Sequence, residues 1–146
     1  MKKIFLIAVF SAFLSANIYA ACSQDLVVND TLYYDIKEIT IDPSCKEFTI
    51  NMKHTGKAVK AAIGHNWVLA QKADMQSIIT EGMKQGLKND YLNKKNPKVL
   101  AASKMIGGGE KTSVKFSLSK LKKGTDYMYF CTFPGHLTMR GTIIYK

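Results

Sequence analysis

An all-β sandwich of Greek-key type with one inserted helix is the fold predicted for this chain of 146 residues, and three observations predict it. Several short segments alternate apolar and polar residues with a period of two. Turn residues separate them at short intervals. Between two of these segments lies a single stretch with helical spacing.

The first twenty residues, MKKIFLIAVFSAFLSANIYA, put Lys2 and Lys3 ahead of an apolar run from Ile4 to Leu14 and close on small residues at Ala20-Ala21. This is the layout of a secretory signal peptide. The apolar run is too short for a bilayer, which needs roughly 20 residues. Anchoring through a lipidated Cys22 remains an alternative, although Tyr19 stands where that signal wants an aliphatic residue. Residues 21–146 then form one domain, large enough to bury a core and leaving no room for a second.

Strands are expected in IKEITI, where Ile39 and Ile41 alternate with polar residues, and in EFTINMK, where Phe48, Ile50 and Met52 share a face. Later come TSVKFSLS with Val114, Phe116 and Leu118, then DYMYFC and GTIIYK. Asp42-Pro43, Thr55-Gly56, Gly107-Gly108-Gly109 and Lys123-Gly124 mark turns, so the strands are expected to run antiparallel. The helix is expected near residues 74–86, with Asp74 as its N-cap, Gly86 near its end, and Met75, Ile78, Ile79 and Met83 as its core-facing residues.

Without residues 1–20 the chain holds 19 basic residues against 11 acidic ones. An exported protein does not meet nucleic acid, so the positive charge bears on solubility and on docking an acidic partner. The lysines of KHTGKAVK and LSKLKKG read as solvated faces. Three cysteines leave at least one unpaired. Cys22 and Cys45 can close a loop of about 24 residues, worth roughly 3 kcal/mol by chain entropy. Cys131 is then the thiol in need of burial or a task.

Cys131 opens Cys-x4-His-x2-Met, ending at His136 and Met139. A thiolate, an imidazole and a thioether suit copper cycling between two oxidation states better than magnesium, calcium or structural zinc. His65, between Gly64 and an expected strand, supplies a second imidazole and completes a His₂Cys set with a weak axial methionine. A cysteine nucleophile with a histidine base is the poorer reading, because no orienting group or oxyanion motif accompanies the pair. Catalysis at copper would need an open coordination position and a second centre, and no further histidine cluster exists, so no enzyme activity is expected. Delivery or sequestration of copper is the alternative function, although such proteins more often carry an exposed, open Met- or His-rich site.

The chain resembles the azurins, bacterial blue copper proteins of the cupredoxin fold. The Cys22 to Cys45 spacing, GHNWVL at 64–69, ADMQ at 73–76, TEGM at 80–83, DYL at 90–92, IGGGEK at 106–111 and FCTFPGH at 130–136 carry the resemblance over essentially the whole segment after residue 20. It implies one type 1 copper ion bound by His65, Cys131 and His136, with Met139 axial and the Gly64 carbonyl a distant contact opposite. Asn66 would hydrogen-bond across to Thr132, and the Asn29 carbonyl would accept the free N–H of His65. Phe133, Pro134, Gly135, Leu137, Leu32 and Ile63 would form an apolar docking surface around His136.

The implied role is a periplasmic one-electron carrier, monomeric and without stable membrane association, serving c-type cytochromes or other periplasmic redox proteins. Two departures from the azurin pattern stand out. Only Leu137 and Thr138 separate His136 from Met139, a spacing similar to that of the amicyanins, and His54-Thr55-Gly56 replaces a His-Pro-Gly. His54 is accordingly expected to be structural, and Met105 to be remote from the metal.

Overall fold

The computed structural model describes residues 21–145; the signal segment expected over 1–20 lies outside them. The chain forms β1 (Ser23–Val28), β2 (Glu38–Ile41), β3 (Glu47–His54), α1 (Lys60–Ile63), β4 (Val68–Gln71), α2 (Met75–Met83), β5 (Ala101–Ala102), β6 (Lys111–Ser117), β7 (Tyr127–Phe130) and β8 (Arg140–Tyr145). These make a two-sheet sandwich: β1-β3-β6 faces β2-β8-β7-β4-β5.

Period-2 alternation explains the packing. Ile39 and Ile41 of β2, Phe48, Ile50 and Met52 of β3, and Tyr127 and Tyr129 of β7 point into one core between the sheets. Strand β4 is buried on both sides: Leu69 joins that core, whereas Val68 and Ala70 meet Ile78, Ile79, Leu92 and Phe130 on the outer face. A strand covered on both faces reads as a continuous apolar run. Trp67 is fully buried, stacked between Phe116 at 5.7 Å and Tyr129 at 5.8 Å.

Not all strands are antiparallel, contrary to expectation. β1 pairs parallel to β3, and β2 parallel to β8. The cause is connectivity: β2 lies in the other sheet from β1 and β3, so the chain crosses the sandwich and returns in its original direction, which a hairpin cannot do. β1 itself, SQDLVV, offers only Leu26 and Val28 as buried residues and was not anticipated.

The helix is shorter than predicted and capped differently. It spans Met75–Met83, and the Asp74 side chain makes no cap hydrogen bond; its carboxylate pairs with Lys98 at 2.7 Å. Gly86, with φ of 66°, lies in the turn beyond rather than at the helix end. Met83 is 47% exposed, and Gly82 takes the buried place instead. Any Cβ at Gly82 would strike the Tyr91 carbonyl, so this glycine lets the segment after the helix lie against it.

Cys22 and Cys45 form a disulfide with Cα atoms 5.7 Å apart, tying the start of β1 to the start of β3. Cys131 is free and buried. Among the described residues no helix is long and apolar enough to cross a membrane.

Candidate metal centre

Two segments meet at one end of the sandwich. The first is Gly64-His65-Asn66, leading into β4, where His65 exchanges backbone hydrogen bonds with Ile106 at 2.8 and 2.9 Å. The second is the loop from Cys131 to Met139 between β7 and β8, built from two consecutive tight turns. In the first turn the His136 N–H donates to the Phe133 carbonyl at 3.1 Å, with Pro134 at the second position and Gly135 at the third with φ of 85°, the residue pattern of a type II turn. In the second the Met139 N–H donates to the His136 carbonyl at 2.9 Å. Leu137 and Thr138 are its two central residues, which is why two residues suffice between His136 and Met139. The Met139 carbonyl then accepts the Cys131 N–H at 3.0 Å and closes the loop.

His65, Cys131 and His136 are buried and bring one ligand atom each to within 4.8 Å of one another. Cys131 Sγ lies 3.6 Å from His136 Nδ1 and 3.9 Å from the Gly64 carbonyl, and it accepts the Phe133 N–H at 3.5 Å. Met139 is fully buried in the same core cluster as Cys131. His65 Nε2 lies 2.7 Å from the Asn29 carbonyl, to which it donates; Nδ1 is therefore the unprotonated nitrogen. That Nδ1 is buried and has no hydrogen-bond partner. An orphaned lone pair beside a thiol and a second imidazole fits a soft-to-intermediate metal ion such as copper.

Burial governs the protonation states. It lowers His65, and together with the repulsion two protonated rings would feel it brings His136 down to about 4, which favours the neutral imidazoles that ligation requires. Burial also pushes the Cys131 thiol up to about 11. Without a cation the proton stays on sulfur, and a bound metal ion takes its place.

Side-chain hydrogen bonds tie the two segments together. Asn66 Oδ1 accepts the Thr132 N–H at 2.9 Å, and Asn66 Nδ2 donates to Thr132 Oγ1 at 2.8 Å. Gly64 has ordinary extended dihedrals, φ −90° and ψ 149°; a side chain is excluded there because its Cβ would crowd the Lys60 carbonyl and the Met105 sulfur. Met105 is thus beside the site, not remote from it. His54 lies outside the donor cluster: its ring stacks on His65 at 5.1 Å, and its Nδ1 accepts the Gly56 N–H at 3.1 Å.

Asp90 and Tyr91 are functional residues that sequence reasoning missed. The Asp90 carbonyl accepts from both Asn66 Nδ2 at 3.1 Å and Thr132 Oγ1 at 3.2 Å, and its carboxylate accepts the Met105 N–H at 3.2 Å. The Tyr91 ring meets Phe133 edge-on at 5.4 Å. Both residues have left-handed backbones, with φ of 59° and 48°. The sequence signals were the Asn-Asp pair at 89–90, which marks a turn, and DYL at 90–92 among the motifs similar to the azurins, and neither announces a support for a cysteine.

Asp90→Val puts a β-branched side chain into that conformation, at an expected cost of about 1–3 kcal/mol. Faster hydrogen exchange of the Thr132 amide in the metal-free protein is the expected result, with Asp90→Asn close to wild type because asparagine tolerates positive φ and keeps an acceptor. Wild-type exchange in Asp90→Val would remove Asp90 from the support of this loop.

Similar proteins agree with this geometry. A family profile described as copper binding proteins, plastocyanin/azurin family, matches residues 20–146. An azurin of Pseudomonas aeruginosa is 46% identical over 147 residues, covering 100% of this chain and 99% of the relative. Azurin-1 of Alcaligenes xylosoxydans xylosoxydans is 52% identical over 125 residues, covering 85% and 97%. Among solved structures, the azurin Az-iso2 from the obligate methylotroph Methylomonas sp. strain J matches with a TM-score of 0.83 at 43% identity, covering 87% of this chain and 99% of that one. With the two-sheet sandwich and the buried His65–Cys131–His136 cluster already in place, these matches show that the chain belongs to the plastocyanin/azurin family of copper-binding proteins.

Proposed function

We propose that this protein is a periplasmic blue copper electron carrier that passes one electron at a time between redox proteins and turns over no substrate of its own. The observation that carries the reading is the convergence of three buried donor atoms within 4.8 Å of one another. His65, Cys131 and His136 would be the close ligands, Met139 the weak axial one and the Gly64 carbonyl a distant contact. Copper bound there supplies the Cu(I)/Cu(II) couple.

The protein's own groups hold that site rigid. Asn66 and Thr132 join the two ligand-bearing segments, the Asn29 carbonyl fixes the His65 tautomer, and the turn hydrogen bonds fix Cys131, His136 and Met139 relative to one another. Ligands that cannot rearrange make a change of metal charge inexpensive, which favours fast exchange. The buried donor set favours retention over delivery or sequestration, which would call for an open, exposed site. Residues 1–20 are proposed to be the secretory leader, the copper-loaded protein a monomer, and c-type cytochromes or other periplasmic redox proteins the partners.

Electrons are proposed to pass at the tip formed by the 131–139 loop. His136 is 5% exposed there, under the ring of Phe133 at 4.6 Å, and Leu137 is 50% exposed. Pro134 and Gly135 are exposed, and Leu32 and Ile63 half-buried. A small apolar tip suits brief docking. Leu137→Asp is expected to slow electron exchange with a c-type cytochrome about tenfold, since a charge on the rim costs about 1.4 kcal/mol of encounter at that factor, while the visible spectrum stays as in wild type. Unchanged exchange kinetics would place electron entry elsewhere.

A further inference from the structure

The excess of positive charge is unevenly placed. Residues 84–104 contain Lys84, Lys88, Lys94, Lys95, Lys98 and Lys104 against Asp90 as the only acid, and all six lysines are exposed. Two are committed, Lys94 to Asp90 and Lys98 to Asp74, each at 2.7 Å. Among the described residues, Lys88, Lys95 and Lys104 take part in no ion pair.

This segment is fastened to the tip. The Asp90 carbonyl holds Asn66 and Thr132, Tyr91 packs against Phe133, and the Met105 N–H bonds the Asp90 carboxylate. Lys88, Lys94 with its neighbour Lys95, and Lys104, each close in the chain or bonded to Asp90 or Met105, therefore stand at a fixed place beside the apolar tip. Lys98, held by Asp74 beyond the far end of β4, lies further back. On the other flank, α1 adds exposed Lys60.

The acids at this end engage their carboxylates with backbone N–H groups, although Asp30 and Glu110 stay exposed. Asp30 accepts the N–H groups of Lys57 and Ala58, Glu110 that of Gly107, and Asp90 that of Met105. Against the segment itself, Asp74 pairs with Lys98, and Glu81 accepts from the side chains of Asn93 and Asn96. Glu47 starts β3, whose last residue, His54, stacks on His65, so the strand separates Glu47 from the site by about 23 Å. At that distant end Asp42 spends its carboxylate on the Ser44 N–H. The molecule thus presents a basic flank next to its apolar tip and a more mixed surface at the disulfide end.

We propose that the flank formed by residues 84–104 steers and selects an acidic redox protein, one with an apolar contact patch bordered by carboxylates. The inference rests on the carrier reading above and adds to it the charge of the partner. Like charges at the tip also oppose pairing with a second copy of this chain. Steering of this kind raises the association rate at low ionic strength and fades as salt screens it within a Debye length of about 8 Å at 0.15 M.

The test uses the copper-loaded protein and stopped-flow exchange with two c-type cytochromes, one acidic and one basic, over a range of ionic strength. The triple variant Lys88→Glu, Lys95→Glu, Lys104→Glu is compared with the triple variant Lys46→Glu, Lys122→Glu, Lys123→Glu, which makes the same change in net charge at the other end. The wild-type rate with the acidic cytochrome should fall with salt. The first variant should lose at least tenfold of that rate at low salt and converge on wild type at high salt, whereas the second should stay within about twofold.

Equal losses in both variants would mean that net charge acts without a local surface, and no loss in the first would overturn the flank outright. If the first variant loses binding to phosphatidylglycerol vesicles with its cytochrome rates unchanged, the lysines address a lipid surface and the proposal is equally overturned. The carrier reading is checked separately, by an intact visible spectrum and by exchange that persists at high salt.

Discussion

Replacing Cys131 by serine abolishes the intense blue colour expected of the Cu(II)-loaded protein. That colour requires charge transfer from a thiolate, and Cys131 is the free cysteine of the structure, the other two being bonded to each other. A serine hydroxyl does not ionise near neutral pH and is a harder donor, so affinity for copper falls along with the absorption. The fold should survive, because the Cys131 backbone N–H still donates to the Met139 carbonyl and the side chain shrinks only slightly. Far-ultraviolet circular dichroism of the metal-free variant should match wild type, with a melting temperature lower by several degrees for a buried hydroxyl costing about 1–3 kcal/mol. A colourless copper-loaded wild type would end the blue-copper reading altogether.

Met139→Gln is expected to lower the reduction potential by at least about 60 mV, which for a one-electron couple corresponds to a tenfold loss of preference for Cu(I). The reason is that a thioether favours Cu(I) relative to an amide oxygen. The electron paramagnetic resonance spectrum of Cu(II) should change with it. Met139 is fully buried, and its backbone is bonded to both His136 and Cys131, so the side chain changes while the loop stays anchored. Met83→Gln, exposed on α2, is the fitting control. Met105→Gln is not, because the Met105 sulfur lies against Gly64. Wild-type potential and spectrum in Met139→Gln would leave His65, Cys131 and His136 as the site, with Gly64 alone on the axis.

The basic flank has a bearing on the same experiments. Because Lys88, Lys95 and Lys104 stand beside the tip, the loss of rate in Leu137→Asp should itself depend on salt when the cytochrome is acidic. The added carboxylate works against the lysines at low ionic strength and matters less once both are screened.

Local pattern in the chain encodes the strand faces and the ligand-bearing loop. Period-2 alternation marked the core faces of β2, β3 and β6, since a strand's side chains alternate whatever it pairs with. Cys131, His136 and Met139 were legible as one unit because they share a single nine-residue loop, and His65 because few histidines compete with it. The tertiary structure alone decided the rest, and each case involves a partner distant in the chain. The parallel pairing of β1 with β3 depends on β2 crossing to the other sheet. Met83 yields its buried place to Gly82 because the Tyr91 carbonyl comes that close. Asp90 supports the cysteine loop through a main-chain carbonyl in a left-handed turn, and since every residue type carries that carbonyl, no choice of side chain could have announced it.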